Sequence, residues 1–235
     1  MDGRKICAVW KKQVKDTLKN KVILIQFIMF PMLTAVMQNA MDIQGMPKNY
    51  FVTLFATMYI GMAPLTAMAA IISEEKECNT LRVLLMSNVK AGEYLLGTGG
   101  YVFMICTLGA ICFGVLGNFR GKELAGFVFA MCVGIMISLL LGAAIGVRSK
   151  GQMAATSISV PVMMILSFLP MLASFNEKIA KVSKYIFSQQ VSRIMEDMGS
   201  HTAEAGSIMI IGVNFIVVVL FFTFCYRRYG LEEVL

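Results

Sequence analysis

Residues 73–97 read SEEKECNTLRVLLMSNVKAGEYLLG and form a charged interruption between two long apolar runs. A charged side chain at the centre of a transmembrane helix costs roughly 2.5 to 3.5 kcal/mol. The charged residues of this stretch are Glu74, Glu75, Lys76, Glu77, Arg82, Lys90 and Glu93. We therefore expect the stretch to lie in water, between two helices that cross the membrane.

The rest of the chain is mostly apolar, since 57% of its 235 residues are hydrophobic and only 15% are charged. Soluble domains carry about 25% charged residues, so this composition is typical of an integral membrane protein. Six windows lack Asp, Glu, Lys, Arg and His: 22–41, 50–72, 97–117, 124–147, 153–175 and 207–226. Each is long enough to cross a membrane core of about 30 Å as a helix. We predict an all-α membrane protein with six transmembrane helices in one domain, 1–235.

The basic residues are unevenly distributed between the segments that join these windows. Segments 1–21, 73–96, 148–150 and 227–228 contain fourteen of the 21 Lys and Arg residues. Because basic loops stay on the cytoplasmic side, this bias predicts that both termini and residues 73–97 are cytoplasmic. The net charge of +7 is then a topology signal, with attraction to anionic lipids as a secondary effect. It gives no reason to expect nucleic-acid binding.

Two segments outside the windows also have helical patterns. Residues 1–21 are predicted to form an amphipathic helix at the membrane interface, whose apolar residues are Ile6, Val9, Trp10, Val14 and Leu18. A cleaved signal peptide is the alternative for this segment. Residues 176–206 are predicted to form an external helical hairpin of one or two short helices before the last window.

Two patterns of small or apolar residues indicate packing surfaces. Gly134, Ser138, Gly142 and Gly146 recur every four residues, a spacing that lets two helix backbones approach closely within one subunit or across a dimer. Leu81, Leu84 and Leu85 lie on one side of a short helix that begins near Asn79 or Thr80, both plausible N-caps. This leucine stripe could pack on its own chain and headgroups, or bind a partner.

The sequence offers no basis for catalysis. It lacks a Gly-x-x-x-x-Gly-Lys-Ser/Thr motif, so the chain is not expected to bind ATP through a P-loop. The six windows hold no ionisable residue that would form a proton relay or ion site. We expect no enzyme activity, metal or cofactor in this chain.

The charged stretch resembles the signature of the permeases of type-2 ABC exporters. The resemblance lies in residues 75–81, EKECNTL, followed by 84–87, LLMS, and then by Leu96 and Gly97. The order of the segments along the whole chain is similar to that family as well. Asn79, Asn88 and Thr98 stand where the family often has Gly, Pro and Lys.

The resemblance implies a short cytoplasmic coupling helix between the second and third spans, docked on a separate ATP-binding subunit that holds ATP and Mg. The residues implied in docking are Glu74, Glu75, Glu77, Thr80, Leu81, Leu84 and Leu85. The glutamates would face basic residues of that subunit, and the leucines would fill its groove. A second copy of the chain, or a sister permease, would complete the transporter in a bacterial plasma membrane.

Compact relatives of this kind export amphipathic peptides, such as bacteriocins and phenol-soluble modulins, or give immunity to them. The resemblance therefore implies ATP-driven export of an amphipathic peptide or another hydrophobic substrate. The alternative is a non-transporting immunity or sensor scaffold that recruits a soluble partner through the same loop.

Overall fold

The computed structural model describes residues 3–19, 21–40, 49–196 and 205–229. Within these residues every regular element is an α-helix, in agreement with the predicted fold class. The helices are α1 (Gly3–Lys19), α2 (Lys21–Ala40), α3 (Tyr50–Glu77), α4 (Thr80–Met86), α5 (Ala91–Leu116), α6 (Lys122–Arg148), α7 (Gln152–Ala173), α8 (Glu177–Ser183), α9 (Phe187–Glu196) and α10 (Ala205–Arg228).

The long helix α3 lies at the centre of the bundle. It packs against α2, α5, α6, α7 and α9, and most of its residues are buried. By contrast, α10 packs mainly against α6 and α9 and leaves most of its apolar surface exposed. A helix that is apolar and exposed around most of its circumference is what a lipid environment accommodates.

Five of the six predicted spans correspond to helices long and apolar enough to cross a membrane, namely α3, α5, α6, α7 and α10. The window 22–41 corresponds to α2, whose side chains are described from Leu24 to Ala40 and are mostly apolar. The crossing by α2, and with it the count of six, stays a prediction.

The helices around the charged stretch extend beyond their apolar windows. Helix α3 continues to Glu77 and α5 begins at Ala91, so most of residues 73–97 are helical. Hydropathy marks where lipid ends, whereas a helix continues until its backbone turns. Between α7 and α10, α8 and α9 are the short helices predicted there, and residues 197–204 of that segment lie outside the described residues.

Four segments meet at one end of the bundle, which we call the α4 end. The Nζ atom of Lys5 in α1 donates to the carbonyl of Asn88 after α4. The Nζ atom of Lys76 donates to the carbonyls of Val147 and Ser149 at 2.7 Å each, which brings in the α6–α7 junction. The guanidinium of Arg148 lies 5.9 Å from the ring centre of Tyr229 after α10. The four segments with the basic excess therefore share one end.

Candidate functional site

The turn from α3 into α4 consists of Cys78 and Asn79 alone. Asn79 is the N-cap of α4, but its side chain makes no capping hydrogen bond; it contributes a left-handed backbone, with φ 57° and ψ 10°. Its amide donates to the carbonyl of Lys76 at 3.1 Å, and the Thr80 hydroxyl donates to the carbonyl of Glu75 at 3.2 Å. Thr80 thus satisfies a terminal carbonyl of α3 and joins the two helices tightly.

Helix α4 ends in a second left-handed asparagine. Asn88 has φ 65°, its amide donates to Leu85 at 3.1 Å, and the amide of Val89 donates to Leu84 at 3.3 Å. This pair of bonds is the Schellman motif that terminates many helices. A proline, with φ fixed near −65°, does not fit this position. The loop in this chain therefore depends on asparagine at 88.

The leucine side of α4 faces the chain's own bundle. Leu81 is 0% exposed, and Leu84 and Leu85 are half-buried against the apolar core. The opposite side carries Val83, which is 65% exposed, and Met86, which is 71% exposed. The apolar surface that α4 offers to another molecule is therefore formed by Val83 and Met86. Docking by the three leucines stays a prediction.

Glu75 points into the bundle and joins three helices. Its Oε1 atom forms an ion pair with the Nζ of Lys12 and accepts a hydrogen bond from the Gln13 amide at 2.9 Å. The same amide lies 3.3 Å from the Thr98 hydroxyl of α5. Glu75 is 6% exposed, and its charge is paired with Lys12 through Oε1, whereas its buried Oε2 atom has no hydrogen-bond partner among the described residues.

Lys12, Gln13, Glu75 and Thr98 form a largely buried polar cluster. The ammonium group of Lys12 also lies 3.2 Å from the carboxylate of Asp16 at the surface of α1. Burial alone lowers the pKa of Lys12, but its hydrogen bonds and charge pairing with Glu75 and Asp16 outweigh burial and raise the pKa above 10.5. Lys12 therefore stays protonated throughout the physiological pH range. It fixes α1 to the end of α3.

Glu74 and Glu77, the other two acidic residues at the end of α3, are more exposed than Glu75. Glu77 is exposed, and its Oε2 atom accepts a hydrogen bond from the backbone N–H of Gln152 at 2.7 Å. Glu74 is half-buried and has a partner within the chain. The end of α3 is thus tied to α1 through Glu75 and to the start of α7 through Glu77.

This architecture matches one known family over almost its whole length. The model of the ABC-2 family transporter proteins matches residues 10–226, from α1 to the end of α10. The chain belongs to the ABC-2 transporter family. It is a multi-pass membrane protein of the permease type. No curated protein matches it.

In this ABC-2 transporter protein the small residues of α6 lie against α3 of the same chain. A Cβ atom at Gly142 would overlap the backbone carbonyl of Leu65, and one at Gly146 would lie 2.8 Å from the Cβ of Ile72. At Gly134 it would lie 2.6 Å from Ile60. Ser138 is fully buried and its hydroxyl finds no partner among the described residues. The close approach thus lies inside one subunit.

Several residues of this site were missed by the sequence analysis. On α1, the face that packs on α5 holds Val9, Gln13 and Thr17, whereas Leu18, assigned to the apolar face, is exposed. Helical spacing would have found Gln13 and Thr17, four and eight residues after Val9, had polar residues been allowed at buried positions. Val83 and Met86 were missed because the leucines alone satisfied the amphipathic pattern. Among the described residues no group of side chains is arranged to hold a metal.

Proposed function

We propose that this chain is the transmembrane subunit of an ATP-driven ABC exporter and that a separate ATP-binding subunit docks on α4. The observation that carries the proposal is the exposed apolar pair Val83 and Met86 on a helix whose other side is anchored in the bundle. An exposed apolar pair beside charged residues fits a protein interface. Exposed Arg82 and Glu77 supply the charge here.

In this proposal the residues of the site divide into two roles. Val83, Met86 and Glu77 contact the ATP-binding subunit, while Leu81, Leu84 and Leu85 hold α4 on the bundle. Glu75 and Thr80 connect α4 to α3 and α1 from the inside. ATP and Mg bind only to the partner, and this chain contributes no catalytic group. A second copy of the chain or a sister permease completes the pathway.

The turns at either end of α4 provide the mechanical link. Two residues separate α3 from α4, and four separate α4 from α5, so a push on α4 is transmitted directly to two long helices. The contacts of Glu75 and Glu77 carry the same displacement to α1 and α7. Packed helices transmit displacements well because protein interiors have low compressibility.

The substrate that we propose is an amphipathic peptide or another hydrophobic molecule, exported across a bacterial plasma membrane with the α4 end in the cytoplasm. Its support is the absence of Asp, Glu, Lys, Arg and His from the six windows, together with the family of the chain. A pathway lined by such helices favours substrates that shed little hydration on entry. The basic excess at the α4 end supports the orientation.

Docking can be tested by co-expressing the tagged chain with a candidate ATP-binding subunit from the same genome. Val83→Asp should lower co-purification of that subunit about ten-fold or more, because a carboxylate would be desolvated in the apolar contact. Val182→Asp is the matched control, since Val182 is 63% exposed on α8, which like α4 has seven residues, but lies outside the α4 end. Equal co-purification of both variants would contradict docking on α4.

Transport is tested in proteoliposomes that contain both subunits. ATP-dependent accumulation of an amphipathic peptide, lost in Val83→Asp and kept in Val182→Asp, is the expected result. Stable docking without peptide flux would instead favour the scaffold alternative. Flux that persists when the ATP-binding subunit is omitted would contradict the exporter assignment.

A further inference from the structure

An apolar groove lies between α5, α6 and α10, apart from the α4 surface. Its volume is about 490 Å³, within the range of small-molecule sites, and its wall is almost wholly apolar. Its lining residues are Met68, Gly92, Leu95, Leu96, Gly99, Gly100, Phe103, Met136, Leu139, Leu140, Ala143, Phe222 and Tyr226. Leu96 and Met136 are exposed, so the groove opens on the outside of the bundle.

Glycines on α5 create the depth of this groove. A Cβ atom at Gly92 or Gly100 would meet no other atom within 4 Å, and one at Gly99 would reach Leu139 only at 3.5 Å. These positions contrast with Gly97, where a Cβ would lie 2.8 Å from Val9 of α1. The glycines of the groove therefore border open space, whereas Gly97 serves close helix packing.

The groove extends from headgroup depth into one leaflet of a membrane. It follows α5 from Gly92 to Phe103, and eleven residues of helix rise about 16 Å. Residues 92–96 precede the apolar window 97–117 and lie at headgroup depth, whereas the remaining part, about 9 Å long, lies within the roughly 15 Å of one hydrocarbon leaflet. Because α5, α6 and α10 are candidate spans, this deeper part faces acyl chains. Water is a poor occupant, since a bound water needs two to four polar partners.

Cationic side chains lie at the end of the groove that adjoins the α4 end. Tyr226 lines the groove, and three residues later the ring of Tyr229 lies 5.9 Å from the guanidinium of Arg148 and 5.8 Å from that of Arg228. Among the described residues no carboxylate lies within 4 Å of either guanidinium. Exposed Lys90 adds a third cation, two residues before Gly92.

We propose that this groove binds one acyl chain of an anionic phospholipid from the leaflet at the α4 end, with its phosphate held by Arg148 and Arg228. Basic pockets between transmembrane helices recognise anionic headgroups in this manner. The lipid would fill the gap between α10 and the α5–α6 pair, which Met68 of α3 also lines. This lipid site lies apart from the docking surface on α4, and the bound lipid is not the exported substrate.

The test counts lipids bound to the purified full chain by native mass spectrometry, using phosphatidylglycerol and phosphatidylcholine with identical acyl chains. Wild type should prefer phosphatidylglycerol about thirty-fold, the effect expected of two cations near the membrane surface. Arg148→Gln combined with Arg228→Gln should abolish this preference, and Arg120→Gln, exposed and away from the groove, should preserve it. Both changes are on the surface and leave the core packing intact.

A second pair of variants tests the groove itself. Gly100→Leu fills it and should weaken lipid binding about ten-fold, while Gly212→Leu, an equally open glycine on α10 outside the groove, should leave binding within about two-fold. Equal binding of the two lipids by wild type, or unchanged binding in Gly100→Leu, would overturn the proposal. So would displacement of the lipid by an uncharged amphipathic peptide, because the groove would then belong to the cargo.

Discussion

At the scale of single residues, Glu75 has the most consequential position. Its carboxylate is a buried acceptor for Lys12 and Gln13, and its backbone carbonyl accepts the hydroxyl of Thr80. One residue therefore connects α1, α3 and the start of α4. Removing one member of a buried polar cluster leaves the other members desolvated and unpaired.

We expect Glu75→Ala to lower the free energy of unfolding by about 1 to 3 kcal/mol, because Lys12 loses its partner in α3 and the buried Gln13 amide loses the shorter of its two hydrogen bonds. Trp10, the chain's only tryptophan, packs edge-on against Tyr101 of α5 at 6.1 Å, so its fluorescence reports whether α1 stays attached. The measurement is a thermal melt followed by that fluorescence. Glu123→Ala, an exposed acidic residue in the first turn of α6, is the control. A melt of Glu75→Ala that matches this control would show that the cluster does not hold α1.

At the scale of elements, α3 and α6 pack closely through the small residues of α6 that the sequence singled out. The four-residue spacing of small side chains predicted a packing face on α6, and in the structure Gly134, Gly142 and Gly146 lie against α3. The pattern could not reveal that partner, because a small-residue face fits a neighbouring helix and a second subunit equally well.

Gly142→Ala should destabilise the protein by about 1 to 3 kcal/mol, since the added methyl overlaps the backbone of Leu65 and must separate the two helices. Gly212→Ala adds the same methyl where nothing lies within 4 Å. The two variants are compared by their unfolding temperatures in one detergent. If Gly142→Ala unfolded no earlier than Gly212→Ala, the α3–α6 contact would be looser than the structure indicates.

The helix between 80 and 86 illustrates what sequence can predict about an element. Its existence followed from the spacing of Leu81, Leu84 and Leu85 and from the asparagine before it. Which of its faces is free did not follow, because an apolar stripe is equally compatible with the chain's own core and with a partner. The sequence also could not show that Glu75 points inward, since its partners Lys12 and Gln13 lie in α1, 63 and 62 residues away along the chain.

At the scale of the whole molecule, two points decide the topology: whether α2 crosses the membrane, and whether the α4 end faces the cytoplasm. Five of the apolar windows coincide with helices long and apolar enough to cross a membrane, which demands about 20 uncharged helical residues. The apolar sequence of α2 and the unequal distribution of basic residues support the sixth span and the orientation, which stay predictions.

Cysteine labelling in intact cells can settle both points. Cys78, exposed at the α4 end, should react with a membrane-impermeant maleimide only in inverted vesicles, whereas Lys48→Cys, between α2 and α3, should react from outside if α2 crosses. Val182→Cys, on α8 at the other end of the bundle, is the reference for labelling from outside the cell. Labelling of Cys78 from the outer face would reverse the proposed orientation. Labelling of Lys48→Cys together with Cys78 would remove α2 from the spans.

The bond between Gln13 and Thr98 joins residues 85 positions apart, and this separation bears on how the protein is made. Ribosomes add about 5 to 20 residues per second, so α1 waits roughly 4 to 17 seconds before α5 has been synthesised. During that interval Lys12 can pair with Asp16 of α1 itself, but Gln13 has no partner in α5. Closure of the cluster therefore has to wait until the first 98 residues have been synthesised.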